Sequence, residues 1–263
     1  MRTNKYNVVE GEKYESNYCG WFEVIKYNSS TDVDIRFCYS GYKRKTTVNY
    51  IKKGVVYDPY YPKVKGVGFI GEGIHKPKIN GKMSKCHSVW FQMLRRCYDS
   101  EYKSYEGYGS KGVTVCEDWH NYQNFAEWYY ANHKEGLAID KDILRRGNKI
   151  YGPEFCRFVP VRINSLLTPR SKCRGDLPIG VHRRKNSSGE VVSYVASISG
   201  GTTTSVIFLG HHKTPELAFE AYKETKLKHI KEVASEEFLA GNITEDIYHA
   251  LLNWEVVPYP EKL

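Results

Sequence analysis

Two oxygen-bearing side chains, Asp140 and Asn164, have the types and the setting to share one hard divalent cation. Asp140 ends an apolar lead of Leu137 and Ile139 that reads as a short strand. Asn164 sits in 161–167, whose apolar spacing is that of a short amphipathic helix. A carboxylate at a strand end and an amide on a helix can converge from opposite sides of such a unit. Their oxygens leave the rest of the coordination shell to waters and a phosphate. Between them Arg145, Arg146 and Lys149 surround a Gly-Asn turn and are candidate phosphate clamps. A second basic cluster, His182-Arg183-Arg184-Lys185, lies further along, with Ser197 and Ser199 in the strand that follows.

The elements that must position these residues can be read from periodicity. Residues 137–167 read as strand, turn, second strand and helix. Upstream, Ser84 starts a helix whose stripe is Cys86, Trp90, Met93, Leu94 and Cys97. His87 falls off that stripe and is expected at the surface; Arg95 and Arg96 occupy the polar side, within reach of a DNA backbone. Asp118 is expected to cap a second helix with Trp119, Tyr122, Ala126 and Tyr129 in phase, and His120 and His133 carry no assignment. Residues 11–58 read as a β module, in which Val33, Ile35, Phe37 and Tyr39 alternate with Asp34, Arg36 and Cys38 and 46–51 forms a third β-rich segment. Such short, closely spaced strands suggest a small barrel of SH3-like type. The Pro- and Gly-rich 57–82 reads as a linker, or equally as a packed irregular segment. After a polar bridge at 172–176, three strands with Gly/Ser turns precede Thr214-Pro215-Glu216, a strong helix start. Thr244 is expected to cap a last short helix. The fold class expected is α+β, with divisions at 1–60, 61–82, 83–172, 177–238 and 242–263.

Composition narrows the partners. The chain has 263 residues and a formal net charge of +9, which favours a polyanion, and nucleic acid is the usual one. Seven cysteines without paired C-x-x-C spacing argue against a disulfide scaffold and against a zinc ribbon, and for a reduced compartment. No apolar run opens the chain or approaches membrane-spanning length. The expectation is a soluble cytoplasmic protein with no membrane partner.

The run IDKDIL-x-x-GNK-x-Y-x-P-E-x-C-x-F-V-P-x-x-I-N resembles the ββα-metal core of the HNH (His-Me finger) endonucleases, in the style of free-standing phage homing endonucleases. The preceding Trp90-x-x-Met93-Leu94-x-Arg96-Cys97-Tyr98, Tyr108-Gly109 and Val115-Cys116-x-x-Trp119 resemble what leads into that core. The resemblance implies a Mg2+ (or Mn2+) ion on Asp140 and Asn164, and Lys141 stands where the family places its general-base His. Phe155 also departs, standing where many relatives carry Asn. A lysine at its ordinary pKa of about 10.4 is protonated at neutral pH and cannot take a proton from water. The stretch G-V-H-R-R … Y-V-A-S-I … F-L-G-x-x-x-T-P-E-x-A-F-x-A-Y is similar to the AP2 DNA-binding domain, a three-stranded sheet with one helix. That likeness implies base contacts from His182 and Arg184 and from Ser197 and Ser199. Together these imply duplex DNA as partner, a bacterial host under phage infection, and metal-dependent nicking or cleavage at a preferred site. The alternative is a DNA-binding protein without catalysis, a repressor or site-blocking factor, because of Lys141. A third reading is a protein-interaction module with basic surfaces.

Overall fold

Alternation of apolar and polar residues builds the first sheet. In the computed structural model β1 (Lys13–Ser16), β2 (Gly20–Ser29), β3 (Asp32–Phe37) and β4 (Lys43–Thr46) pair in sequence order as an antiparallel meander. Phe22, Val24, Val33, Ile35 and Phe37 fall on one face and are fully buried there. The opposite face is an ion-pair lattice, with Arg36 on Glu23 at 2.7 Å and Lys45 on Asp32 at 2.8 Å. The structure describes residues 8–168, 176–199 and 206–259. The chain divides into two units, Met1–Ala131 with Ile150–Gly152 and Asn132–Lys149 with Pro153–Leu263.

The fold is α+β with several small antiparallel sheets, and the expected barrel does not close. Its supposed third β-rich segment, 46–51, ends as a helix. The Thr47 hydroxyl accepts the Tyr50 N–H, and α1 (Val48–Lys52) buries Val48 and Ile51, three residues apart, against the sheet. β-branched residues set one helical turn apart satisfy a helix as well as a strand.

Residues 57–82 do not behave as a tether. Phe69 donates its N–H to the His120 carbonyl and accepts from Tyr122, while Gly68 lies so close to Leu94 and Trp90 that no Cβ would fit. A short hairpin, β5 (Lys78–Ile79) and β6 (Lys82–Met83), leads into α2 (Lys85–Tyr98), whose Ser84 cap and stripe of Cys86, Trp90, Met93, Leu94 and Cys97 match the periodicity. β7 (Thr114–Val115) follows two 3-10 turns. A third such turn occupies Glu117–His120, where a helix capped by Asp118 was expected. α3 (Tyr122–Asn132) starts later, with the Asn121 side chain accepting the Gln123 N–H.

In the second unit β8 (Leu137–Asp140) pairs with β10 (Arg157–Pro160), and α4 (Val161–Leu167) follows at once. β9 (Ile150–Tyr151), between them in sequence, leaves to pair in parallel with β7 of the first unit's own sheet. The expected three strands are present: β11 (Val181–Lys185), β12 (Val191–Ser199) and β13 (Val206–His212), antiparallel in that order. α5 (Pro215–Leu239) begins where Thr214-Pro215-Glu216 predicts, and α6 (Glu245–Leu252) closes the described chain. Ala218, Phe219 and Tyr222 of α5 pack under the three-stranded sheet. Ile230, Val233 and Ala234 of the same helix pack with Ile143, Val159 and Ile163. Two parts expected as separate domains therefore share one helix.

The Thr214 hydroxyl accepts the Leu217 N–H at 3.3 Å, and Thr214→Ala is expected to cost about 1 kcal/mol. Thermal unfolding should show a lower melting temperature with unchanged cooperativity. Among the described residues no helix is long and apolar enough to cross a membrane.

Candidate functional site

The register of β8 and β10 sets Asp140 opposite Arg157, Ile139 opposite Phe158 and Ala138 opposite Val159. Alternation then places Asp140, Arg157 and Val159 on one face. Val159 is buried against Ile163 of α4, and α4 packs on both strands, so Asp140 projects from the face that carries the helix of Asn164. Asn164 is half-buried, and among the described residues its side chain makes no hydrogen bond.

Asp140 Oδ1 accepts the backbone N–H groups of Asp142 and Ile143 at 2.7 and 2.8 Å. Oδ2 has no hydrogen-bond partner among the described residues, and the carboxylate makes no ion pair there. Arg157, the cation that register sets beside it, turns instead to Asp246 at 2.9 Å and to the Cys156 carbonyl at 2.8 Å. Burial therefore holds the Asp140 carboxyl above the ordinary carboxylate range, against the lowering effect of the two N–H donors. A half-buried carboxylate with one oxygen left without a hydrogen bond and no ion pair among the described residues, on the face of a helix bearing a free amide, suits a hard divalent cation.

The sign of the linkage is definite. With its folded pKa above the unfolded value of about 3.9, Asp140 costs no stability below that value and its full penalty above the raised one. Asp140→Asn keeps the acceptor for both N–H groups. It should therefore melt higher than the wild type at pH 7, with the gap closing as pH falls toward 3. Millimolar Mg2+ or Mn2+ should raise the wild-type melting temperature and leave Asp140→Asn unmoved. Calorimetry across pH, with and without the ion, checks both.

Lys141 ties its own loop together. It is only 5% exposed, and its ammonium donates to both Asp142 oxygens, at 2.8 and 2.7 Å, and to the Asn148 carbonyl at 2.7 Å. The Asn148 amide returns a bond to the Lys141 carbonyl at 3.0 Å. Three acceptors around three N–H donors close the 141–148 loop on the Lys141 side chain. His133 packs edge-on against Phe158 at 5.0 Å, and so lies on the hairpin face opposite Asp140. In the turn, Arg145 and Lys149 are exposed and make no ion pair among the described residues, while Arg146 donates to the Glu255 carbonyl at 3.1 Å.

The second cluster is divided by the sheet. Val181, Ala196 and Ile198 face α5, so the alternate residues His182, Arg184, Ser193, Val195, Ser197 and Ser199 face outward. β13 adds Val206, Phe208 and His211 to that outer face. His211 Nδ1 lies 3.2 Å from the Ser193 hydroxyl, and Phe208 is 58% exposed. Among the described residues the outer face of the three strands bears no carboxylate. Arg183, a member of the basic cluster expected to bind DNA, lies on the helix side with Tyr194 and holds Asp176 through two bonds of 2.8 and 2.5 Å. Lys185 is exposed beyond a bulge at Arg184/Lys185.

Phe208 and His211 escape a sequence reading because a bulge at Ala196/Ser197 breaks the period of two. Residues three apart on β13 thereby reach the same face. In the first unit, His87 is buried between Trp90, Phe91 and Tyr122, contrary to its expected surface position. Arg95 pairs with Asp99 and stacks on Tyr102 at 4.0 Å, and Arg96 lies over Tyr108. These arginines brace the Tyr-rich loop. Burial pushes the Cys86 thiol up to about 12, which leaves it unreactive near neutral pH. No family model, no curated protein and no solved structure matches the chain.

Proposed function

We propose that the chain binds duplex DNA through the outer face of the β11–β12–β13 sheet, as an intracellular protein of a phage-infected bacterium. The observation that carries this reading is a carboxylate-free sheet face with Arg184, two histidines, three serines and an exposed Phe208, backed by a helix. Guanidinium and hydroxyl groups bond to base edges and phosphates, and an exposed ring packs on sugars or bases. The three-stranded sheet with one helix is the architecture implied by the AP2 likeness, and the net charge of +9 supplies the long-range attraction. The affinity for a labelled duplex, read by anisotropy, should fall about a hundredfold between 50 and 200 mM salt. No binding at 50 mM salt would remove the proposal.

A second reading, metal-dependent hydrolysis of the bound strand, is favoured by the half-buried Asp140 carboxylate on the α4 face, which makes no ion pair among the described residues. Asp140 and Asn164 would hold Mg2+ or Mn2+, and the ion would stabilise the leaving oxygen and the charge growing on the phosphate. Arg145 and Lys149 draw the backbone in. Lys141 spends its donors on Asp142 and the Asn148 carbonyl, so another group would take the proton of the attacking water. Supercoiled plasmid with either metal separates the readings. Nicking that is lost in Asp140→Ala makes the chain an HNH-like nuclease. Intact plasmid under every condition leaves a repressor or site-blocking binder.

A further inference from the structure

We infer a second nucleic-acid contact in the first unit: the β5–β6 hairpin grips the phosphate backbone through Lys76, Lys78 and Lys82, with Ile79 and Met83 packed against the sugars. It rests on the DNA-binding reading above and extends it to a surface that neither the metal-site motif nor the three-stranded sheet includes.

The hairpin is built as a projecting, preorganised finger. Asn80 and Gly81 both have positive φ, 50° and 76°, the pairing that turns two strands tightly with the right twist. Its base is fixed on both sides. The His75 N–H donates to Gln123 Oε1 at 3.0 Å, Gln123 Nε2 donates back to the His75 carbonyl at 3.1 Å, and the His75 ring stacks on Tyr130. On the return strand, the Ser84 N–H donates to the Pro77 carbonyl at 2.8 Å, and Ser84 then caps α2.

What the finger carries is unusual for a solvated turn. Register sets Lys78 opposite Met83 and Ile79 opposite Lys82, so each face presents one ammonium beside one apolar side chain. Ile74, Ile79 and Met83 are 85%, 55% and 46% exposed. Lys76, Lys78 and Lys82 are exposed and make no ion pair among the described residues. The sequence from Gly73 to Tyr98 contains no Asp or Glu, and Glu72 is held by the Tyr42 hydroxyl. The outer face of the N-terminal sheet, by contrast, pairs Arg36 with Glu23 and Lys45 with Asp32. Unopposed cations alternating with small apolar contacts fit a strand of regularly spaced phosphates and sugars. A hairpin with two apolar side chains at its tip has too little apolar surface to anchor in a bilayer.

The test uses the full chain and a labelled duplex over a range of salt. The triple variant Lys76→Ala/Lys78→Ala/Lys82→Ala is expected to bind about ten- to a hundredfold more weakly at 100 mM salt, with a log–log salt slope shallower by about 2 to 3. Ile79→Ala/Met83→Ala should weaken binding several-fold at an unchanged slope. All these side chains are exposed, so melting temperatures should stay at the wild-type value. Wild-type affinity and slope in the triple variant, while Arg184→Ala still weakens binding, would overturn the hairpin contact and leave the sheet reading intact. Failure of the wild type to bind any duplex would overturn both. Lysine-dependent binding to phosphatidylserine vesicles, with DNA affinity unaffected by the triple variant, would assign the finger to a membrane surface and overturn the proposal.

Discussion

Lys141→Met is expected to destabilise the second unit by about 3 kcal/mol, a fall of roughly 10 °C in its melting temperature. The methionine keeps the aliphatic stem and the volume but removes all three donors. Asp142 and the Asn148 carbonyl would then face each other across a half-buried loop with nothing between them. The cost is that of stranding their charge and lone pairs and exceeds the net worth of the ion pair itself. Asp142→Asn tests that account. Alone it should destabilise, and in the Lys141→Met background it should cost much less than alone, because the charge it removes has no partner left. A methionine variant as stable as the wild type would mean that the Lys141 side chain does not hold the loop and is free to act elsewhere.

Replacing Arg184 or Phe208 by alanine should each cost about 1–3 kcal/mol of DNA binding, a loss of roughly ten- to a hundredfold. Both side chains stand on the outer sheet face with solvent around them, so folding should be untouched. The two losses are expected to differ in kind. Arg184→Ala lowers the salt slope, because a phosphate or base partner loses a cation, whereas Phe208→Ala weakens binding at constant slope. Arg183→Ala is the internal control. One residue away and equally basic, it is turned to the helix side and bound to Asp176, and its loss should leave the affinity near the wild-type value. Equal losses at 183 and 184 would mean that the strand binds as an undifferentiated basic stretch, and the face assignment would fall.

That pair also shows where sequence reading succeeds and where it stops. Thr214-Pro215-Glu216 announces α5 because capping is local chemistry, and the α2 stripe is legible because one helix buries one face. The three C-terminal strands are legible for the same reason. A run of four basic residues, however, does not say which of them point the same way, and only the buried Val181 and Ala196 settle that Arg184 faces out and Arg183 does not. Residues 46–51 mislead because Val48 and Ile51 fit either period. His87 misleads because the aromatic neighbours that enclose it come from α3 as well as its own helix. At the candidate metal site, Asp140 and Asn164 are visible as residue types at a fitting spacing. The tie between Lys141, Asp142 and Asn148 is not, since it depends on a loop closing over seven residues and on which atoms that closure buries.

α5 makes the second unit a problem of phase. Tyr222 is seated under the three-stranded sheet and Ile230 under the hairpin of Asp140, eight residues further on and about 12 Å along the same axis. The angle between the outer face of the three-stranded sheet, the surface proposed for DNA, and the carboxylate is therefore quantised in steps of about 100° per residue. A single residue gained or lost between those two anchors would swing one surface away from the other, and one of the cores would have to let go. Seven residues would nearly restore the angle while lengthening the span by about 10 Å. Along that stretch of helix, the distance between the two surfaces can change only by insertions close to whole turns, such as seven, eleven or eighteen residues, unless one of the surfaces is rebuilt.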